Sequence, residues 1–308
     1  MWGIVMAKRA PEAAQDAEED GGTSIQIALP DERLRSFVTF YYFVECRGEL
    51  EDFLYPEWGN VRFKLSGSWW VESRQTRPEM PDTGWLFGPT DRAMKVISRR
   101  GATAGFGLTP LGWERFFDVP ANDLANRFVP LGDALGIPEQ AIQEGLAAHS
   151  SDEERTGFFD RLLLNLLDRR PPNSDVAIAI DLALRERPRD VGTLAAAAGL
   201  PQAHLLRVAK RVFGFGPKRL LRRQRFLDTL GRIRVSEEPR FEDLRDPEYF
   251  DQSHFNHEFR EFMGLSPREY RSVPRPLMGQ AALVQLQAGI PLSFQLPPPP
   301  ADAEPWSE

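Results

Sequence analysis

The chain has 308 residues, enough for two domains and at least one sizeable core. Hydrophobic residues make up 42% and charged residues 27%, proportions of an ordinary globular protein, and no apolar run approaches the roughly 18 to 20 residues of a membrane span. Cys46 is the single cysteine, which excludes an internal disulfide and any zinc site built from two or more cysteines of this chain.

The formal net charge of −7 is unevenly spread. Residues 201–234 hold ten Lys/Arg against one acid, Asp228, whereas 235–273 hold five basic residues against ten acidic ones. Clustered positive charge of this kind suits a polyanion partner, and it equally suits a solvated helix face.

In chain order, residues 1–22 are rich in Ala, Glu, Asp and Gly, which predicts disorder, and they carry no charged-then-apolar leader pattern, which predicts a cytoplasmic protein without a membrane partner. Residues 23–169 are read as a β-rich domain with helices at its end. SIQIAL, SFVTFYYFVEC, VRFKLS, SWWVES, GWLFG, MKVIS and TAGFGL are short, β-branched and aromatic, and divided by Pro, Gly and Asp. That spacing predicts a small β-sandwich or barrel. From 112 the pattern turns helical, with starts at Pro138 and at Ser151, whose first turn is acidic. Residues 170–175 form a linker with consecutive prolines, 176–272 a second, all-α domain, and 273–308 a Pro-rich tail without a fixed fold beyond short pieces. The fold class is therefore α+β.

Within the all-α domain, Asp190 caps a short helix of small residues that Gly199 ends. Leu200 and Pro201 turn the chain into a second helix, 202–213, ended by Gly214. This is the layout of a helix-turn-helix. At about 100° per residue, Leu205, Val208, Ala209 and Val212 fall on one side of the second helix. Ala203, Leu206, Arg207, Lys210 and Arg211 fall on the other, with His204 at the edge. Arg207 has the fork that grips guanine O6 and N7, and Lys210 and Arg211 are placed for phosphate. An amphipathic helix packed in a bundle has the same pattern.

The device then repeats. A long basic helix, 217–234, carries Arg222 and Arg223. Phe241 and Leu244 belong to a short helix, Asp251 caps the next, 252–263, and Gly264 ends it. Gly214-Phe-Gly-Pro217 and Gly264-Leu-Ser-Pro267 share one frame, and Ser266-Pro-Arg-Glu269 is a capping box. Phe255, Phe259 and Phe262 form the core stripe of 252–263, opposite Ser253, Asn256, His257 and Arg260. His254 and His257 lack H-E-x-x-H spacing and a third ligand, so no metal is expected; His254 either holds the helix N-terminus or meets a base.

Asp251-Gln252-Ser253-His254-Phe255, Phe259, Gly264-Leu-Ser-Pro267 and Tyr270-Arg271, with Leu194-Ala195, Gly199, Leu205, Arg207 and Gly214 to Pro217 in the first copy, resemble the AraC/XylS family of bacterial transcriptional regulators. The resemblance implies two helix-turn-helix units that dock into neighbouring major grooves of double-stranded DNA, with RNA polymerase as a protein partner. Ala203, Leu206 and Arg207, then Ser253, Asn256 and His257, take the base-reading positions. Pro201 stands where the family has serine, Ala209 where it has a bulky aromatic, and Pro247 interrupts the run before the second recognition helix. With the acidic balance of 235–273, this leaves two roles open for the second unit: reading bases, or positioning the first.

PEWGNVRFKL, GWLFGP, AGFGLTPLGWERFF and VPLGDALG resemble the β-rich, cupin-like sensor halves joined to such domains, which implies ligand sensing, homodimerisation or both. Trp58, Trp69, Trp70 and Trp85 either line a pocket for a small-molecule effector or pack a core. Leu162, Leu163, Leu166 and Leu167 supply a dimer seam or pack onto the β-domain. Gly105-Phe-Gly107 lacks the third glycine of a dinucleotide loop, and neither a Walker lysine nor a G-x-S-x-G elbow is present, so no cofactor and no catalytic residue is expected. A second reading of the whole chain is a small-molecule-binding protein whose helical half is a protein-interaction module without DNA readout.

Overall fold

The computed structural model describes residues 22–72, 77–132, 134–236 and 244–290. The disorder expected before Gly22, the proline run near the C-terminus and the position of Phe241 lie outside the described residues.

Six strands form one antiparallel sheet: β1 (Thr23–Ala28), β2 (Val38–Leu54), β3 (Asn60–Glu72), β4 (Gly84–Phe87), β5 (Met94–Leu108) and β6 (Phe128–Pro130), in the order β1-β2-β5-β3-β4-β6. The strands share one continuous sheet with β1 and β6 at its edges.

Two expected turns are absent. VRFKLS and SWWVES are one strand, as are MKVIS and TAGFGL, because their glycines sit at bulges. Gly67 and Gly101 face each other across β3 and β5 where the register shifts. Gly67 has φ +71°, and a Cβ there would lie 1.8 Å from the Arg100 carbonyl oxygen. A glycine inside a strand marks a bend or a close backbone approach as readily as a turn. The region after 112 also departs from a purely helical reading, since Phe128–Pro130 adds the short edge strand beside β4.

Strand alternation sends Tyr41, Phe43, Val61, Phe63 and Phe106 to one face of the sheet and Tyr42, Val44, Trp69, Val71 and Val96 to the other. The first face is covered by α1 (Pro110–Phe116), α2 (Glu139–Ala147) and α3 (Asp152–Arg169). Phe159, Leu163 and Leu166 of α3 are buried there, with Leu162 and Leu167 half-buried beside them, so the leucines of this helix pack onto the β-domain. The Tyr41 hydroxyl donates to Asp160 of α3 at 2.7 Å. Ser151 starts α3 with the capping box its sequence announces.

The helical half contains α4 (Asp175–Arg185), α5 (Val191–Ala197), α6 (Gln202–Phe213), α7 (Pro217–Val235), α8 (Gln252–Met263) and α9 (Pro267–Ser272). It has two cores. Leu194, Leu205, Val208, Ala209, Val212 and Phe213 belong to the first. Phe226, Phe255, Phe259, Phe262 and Tyr270 belong to the second. The segment joining the halves is fastened: Asn173 and Ser174 donate to the Glu114 carboxylate of α1.

Residues 276–287 correct the reading of the tail. They form a helix, α10 (Pro276–Gln287), that returns to the front half and lies on β1 and β2. Pro276 takes its first turn, and the buried carboxylate of Asp52 on β2 accepts from the Leu277 and Met278 amides at 2.9 and 2.8 Å.

Candidate nucleic-acid interface

The geometry of the first unit follows from its punctuation. The Asp190 side chain accepts from the Thr193 amide at 2.9 Å and starts α5. The Thr193 amide and hydroxyl hold the Asp190 carboxyl below the usual carboxylate range. Gly199 with φ +64° turns the chain, Pro201 precedes α6, and Gly214 with φ +82° ends it. The small residues Ala195, Ala198 and Ala209 are buried where α5 and α6 approach.

That arrangement leaves one face of α6 bare. Ala203, Leu206, Arg207, Lys210 and Arg211 are exposed and His204 is half-buried, while Leu205, Val208, Ala209 and Val212 are buried. Leu206 keeps 43% of its surface in water although it is a large apolar side chain. Among the described residues, Arg207, Lys210 and Arg211 form no ion pair. The front half does not cover this face. It meets α6 on the buried side, where Leu111 and Trp58 join its core, and at Gly214, where a Cβ would lie 2.4 Å from Pro89.

The second unit repeats the geometry with different electrostatics. Asp251 accepts from the His254 amide at 2.7 Å, and Gly264 has φ +75°. Ser266 and Glu269 form the capping box, which keeps the Glu269 carboxyl below its ordinary range. Ser253, His257 and Arg260 of α8 are exposed and Asn256 is half-buried. The His254 ring faces Tyr249 edge-on and its Nδ1 lies 3.4 Å from the Phe250 amide, so it is placed at the helix N-terminus. No cluster of three or more metal-ligating side chains occurs among the described residues. Leu244 is half-buried, and the segment before it, with Phe241, lies outside the described residues.

Arg222 and Arg223 are placed differently from the DNA contacts expected of them. Arg222 is half-buried, and its Nε donates to Glu258 of α8 at 2.6 Å while its Nη2 donates to Glu261. Arg223 is 2% exposed, lies with its Cζ 4.0 Å from the Trp58 ring centroid, and donates through Nε to the Thr90 carbonyl at 2.9 Å. Burial lowers the pKa of the Arg223 guanidinium, and Asp91 and Glu57 act against that. Arg219 bonds Asp91 at 2.6 Å and also reaches Glu261, and Arg225 reaches Glu248 at 2.7 Å. Burial raises the Asp91 carboxyl, but the bond and charge of Arg219 bring it below the usual range. The positive charge of α7 is therefore largely used inside the protein. It neutralises the acidic second unit and fastens the helical half to the loop around Pro89 to Asp91.

These fastening residues were legible only as an unassigned pattern. Arg219 and Arg222 are three apart on α7, Glu258 and Glu261 are three apart on α8, and each pair presents one helix face. Two facing i,i+3 pairs of opposite charge are a signal for an interhelical cluster.

The four tryptophans divide. Trp69 lines a cavity on the face of the sheet that carries Tyr42 and Val44. Trp58 packs on Phe213 and Arg223 between the halves. Trp85 is buried against Phe87 and Phe128, and Trp70 is half-buried under Arg99. The last three do not line that cavity, because β3 alternation turns Trp70 away and the other two are taken up by packing.

Residues 194–272 match the family model described as a helix-turn-helix domain. A comparison with curated protein sequences finds no match. Among solved structures, ToxT from Vibrio cholerae is 10% identical, with 81% of this chain and 97% of that chain covered and a TM-score of 0.43. Wild-type ToxT of Vibrio cholerae with bound unsaturated fatty acid is 9% identical, with 82% and 95% covered and a TM-score of 0.41. The AraC-like transcriptional activator CuxR is 15% identical, with 68% and 87% covered and a TM-score of 0.28. Both α6 and α8 and their glycine caps lie inside the matched segment, so residues 194–272 are similar to that helix-turn-helix domain.

Proposed function

We propose that this chain is a sequence-specific DNA-binding transcriptional regulator whose front half senses a small-molecule effector, mediates homodimerisation, or does both. The observation that carries the reading is the bare face of α6. There an exposed leucine and three cations, without ion pairs among the described residues, stand on a helix otherwise anchored in a core. Ala203, His204, Leu206 and Arg207 meet base edges in the major groove, and Lys210 and Arg211 neutralise phosphates. Ser253, Asn256, His257 and Arg260 give the second unit a smaller, mainly polar reading face. RNA polymerase is the protein partner this class of regulator requires.

Binding to duplex DNA as a function of salt tests the reading. A protein that grips phosphates through several cations shows log affinity falling steeply and linearly with log salt, and a preferred sequence persists at high salt. A flat slope with no preferred sequence contradicts it. Among the described residues no helix is long and apolar enough to cross a membrane.

A further inference from the structure

The face of the sheet that carries Tyr42 and Val44, together with α10, lines a cavity of about 60 Å³ with mainly apolar walls, among them the rings of Phe40, Tyr42 and Trp69. Two polar side chains of that wall carry unpaired atoms. Arg62 on β3 is 8% exposed and donates only through Nε, to the Tyr42 hydroxyl at 3.0 Å. Neither of its Nη nitrogens has a hydrogen-bond acceptor among the described residues; the Glu57 carboxyl of the same wall acts on its charge from beyond ion-pair distance. Its charge is flanked by the Tyr42 and Phe87 rings, 5.5 and 5.0 Å from Cζ. Gln285 on α10 is 4% exposed, and its Oε1 is buried without a donor. A buried guanidinium with free N–H groups and a buried amide oxygen without a donor are both costly, and each is satisfied by one kind of ligand group. The fork of Arg62 fits a carboxylate, and Gln285 Oε1 fits a hydroxyl.

We propose that this cavity binds an apolar, ring-bearing hydroxy-carboxylic acid, with its carboxylate on Arg62 and its hydroxyl on Gln285, and that α10 moves outward to admit it. The proposal rests on the reading of the front half as a sensor and supplies the ligand class. The space present holds one or two water molecules, whereas ligand sites commonly measure about 300 Å³ or more. One wall must therefore move, and α10 only packs on the sheet, whereas the other walls are its strands and the short turn at Tyr55 and Glu57 that joins two of them. It is held at its N-terminus by Asp52 and, from α7, by Arg234, whose Nη2 donates to the Met278 carbonyl at 3.2 Å. Displacement of α10 thus pulls on the long helix that joins the two helix-turn-helix units.

The test uses the full chain without DNA, so that it is independent of whether the protein reads a sequence. Binding of 3-(4-hydroxyphenyl)propanoate is followed by the fluorescence of the tryptophans, one of which, Trp69, lines the cavity. Two controls each lack one group: 3-phenylpropanoate lacks the hydroxyl, and 3-(4-hydroxyphenyl)propan-1-ol lacks the carboxylate. The expected result is saturable binding, weakened about tenfold or more in the alcohol and less in the deoxy acid. Arg62→Gln is expected to make acid and alcohol equal. Ala281→Phe, which fills the cavity from α10 and leaves Arg62 in place, is expected to abolish binding even if Arg62→Gln does not fold. Amide exchange at Leu277 and Met278 is expected to quicken with ligand. Equal binding of acid and alcohol by the unaltered protein, failure of all three compounds to bind, or unchanged exchange at those amides overturns the proposal. A protein that still selects a DNA sequence in that case keeps its function as a regulator and loses only this site.

Discussion

The guanidinium of Arg223 lies over the indole of Trp58, with Cζ 4.0 Å from the ring centroid, while its Nε donates to the Thr90 carbonyl. One residue of the long helix α7 thus bolts the helical half to the front half. The Thr90 amide in turn donates to the Glu57 carbonyl at 2.8 Å, beside the cavity under α10. Replacing Arg223 with Ala removes a buried cation–π contact and a charged hydrogen bond and leaves a void. We expect a loss of about 3 kcal/mol in urea unfolding, with the salt slope of DNA binding unchanged. A reduced slope would instead make Arg223 a phosphate contact.

Arg207→Ala and Lys210→Ala are expected to separate base reading from phosphate binding. The first should cost about 1–3 kcal/mol on the preferred sequence and relax the preference at one base pair. The second should weaken binding evenly on all sequences and lower the salt slope by about 1. Competition binding against single-base variants of the preferred site distinguishes the two.

Glu258 is fully buried and bonds Arg222 at 2.6 Å. Glu258→Ala takes from half-buried Arg222 one of its two carboxylate partners and leaves Glu261, and we expect about 2 kcal/mol of destabilisation by urea unfolding. The double variant Glu258→Leu with Arg222→Met should recover much of that loss, because apolar replacement of both partners avoids the stranded charge. Recovery of less than half would show that the pair does more than neutralise itself.

Gly214 and Gly264 end equivalent helices with φ +82° and +75°, but of the two only Gly214 would bring an added Cβ against the front half. Gly264→Ala should cost about 1 kcal/mol, because alanine disfavours the left-handed conformation. Gly214→Ala should cost more, because its methyl group runs into Pro89, 2.4 Å away. Equal costs in thermal unfolding would mean that Pro89 yields freely.

Burial lifts the Glu57 carboxyl to about 7, against the opposing charges of Arg62 and Arg223. A raised carboxyl holds its proton in the folded state while the unfolded chain has lost it. Stability therefore falls as pH rises from the unfolded value of 4.5 towards about 7, and stays lowered above that. Glu57→Gln, which cannot ionise, should raise the melting temperature at pH 8 relative to the unaltered protein and leave it nearly unchanged at pH 4. An equal shift at both values would trace the effect to the lost acceptor and not to the charge.

How much of this was legible in the sequence follows local rules. The two helix-turn-helix units were, because caps such as Asp190, Gly214 and Ser266 and the phenylalanine stripe of α8 are short-range signals. The outward face of α6 followed from angle alone. The strands were found but cut at Gly67 and Gly101, since a bulge and a turn draw on the same residue. The destination of Arg222 was signalled only by the opposite charges spaced three apart on α7 and α8, and that of Arg223 depends on where the Thr90 loop lies in space, which no local pattern reports. The same holds for α10. Its apolar composition announces a helix poorly, and its place over the cavity is set by Asp52, 225 residues away from Leu277.

Selection from a random duplex library, followed by binding of the recovered site over a range of salt, tests the central claim most directly. The account predicts an enriched sequence bound with a steep salt slope, and loss of the enrichment at one base pair in Arg207→Ala. Recovery of no preferred sequence, or a preference untouched by Arg207→Ala, Leu206→Ala and Ala203→Glu alike, would contradict it.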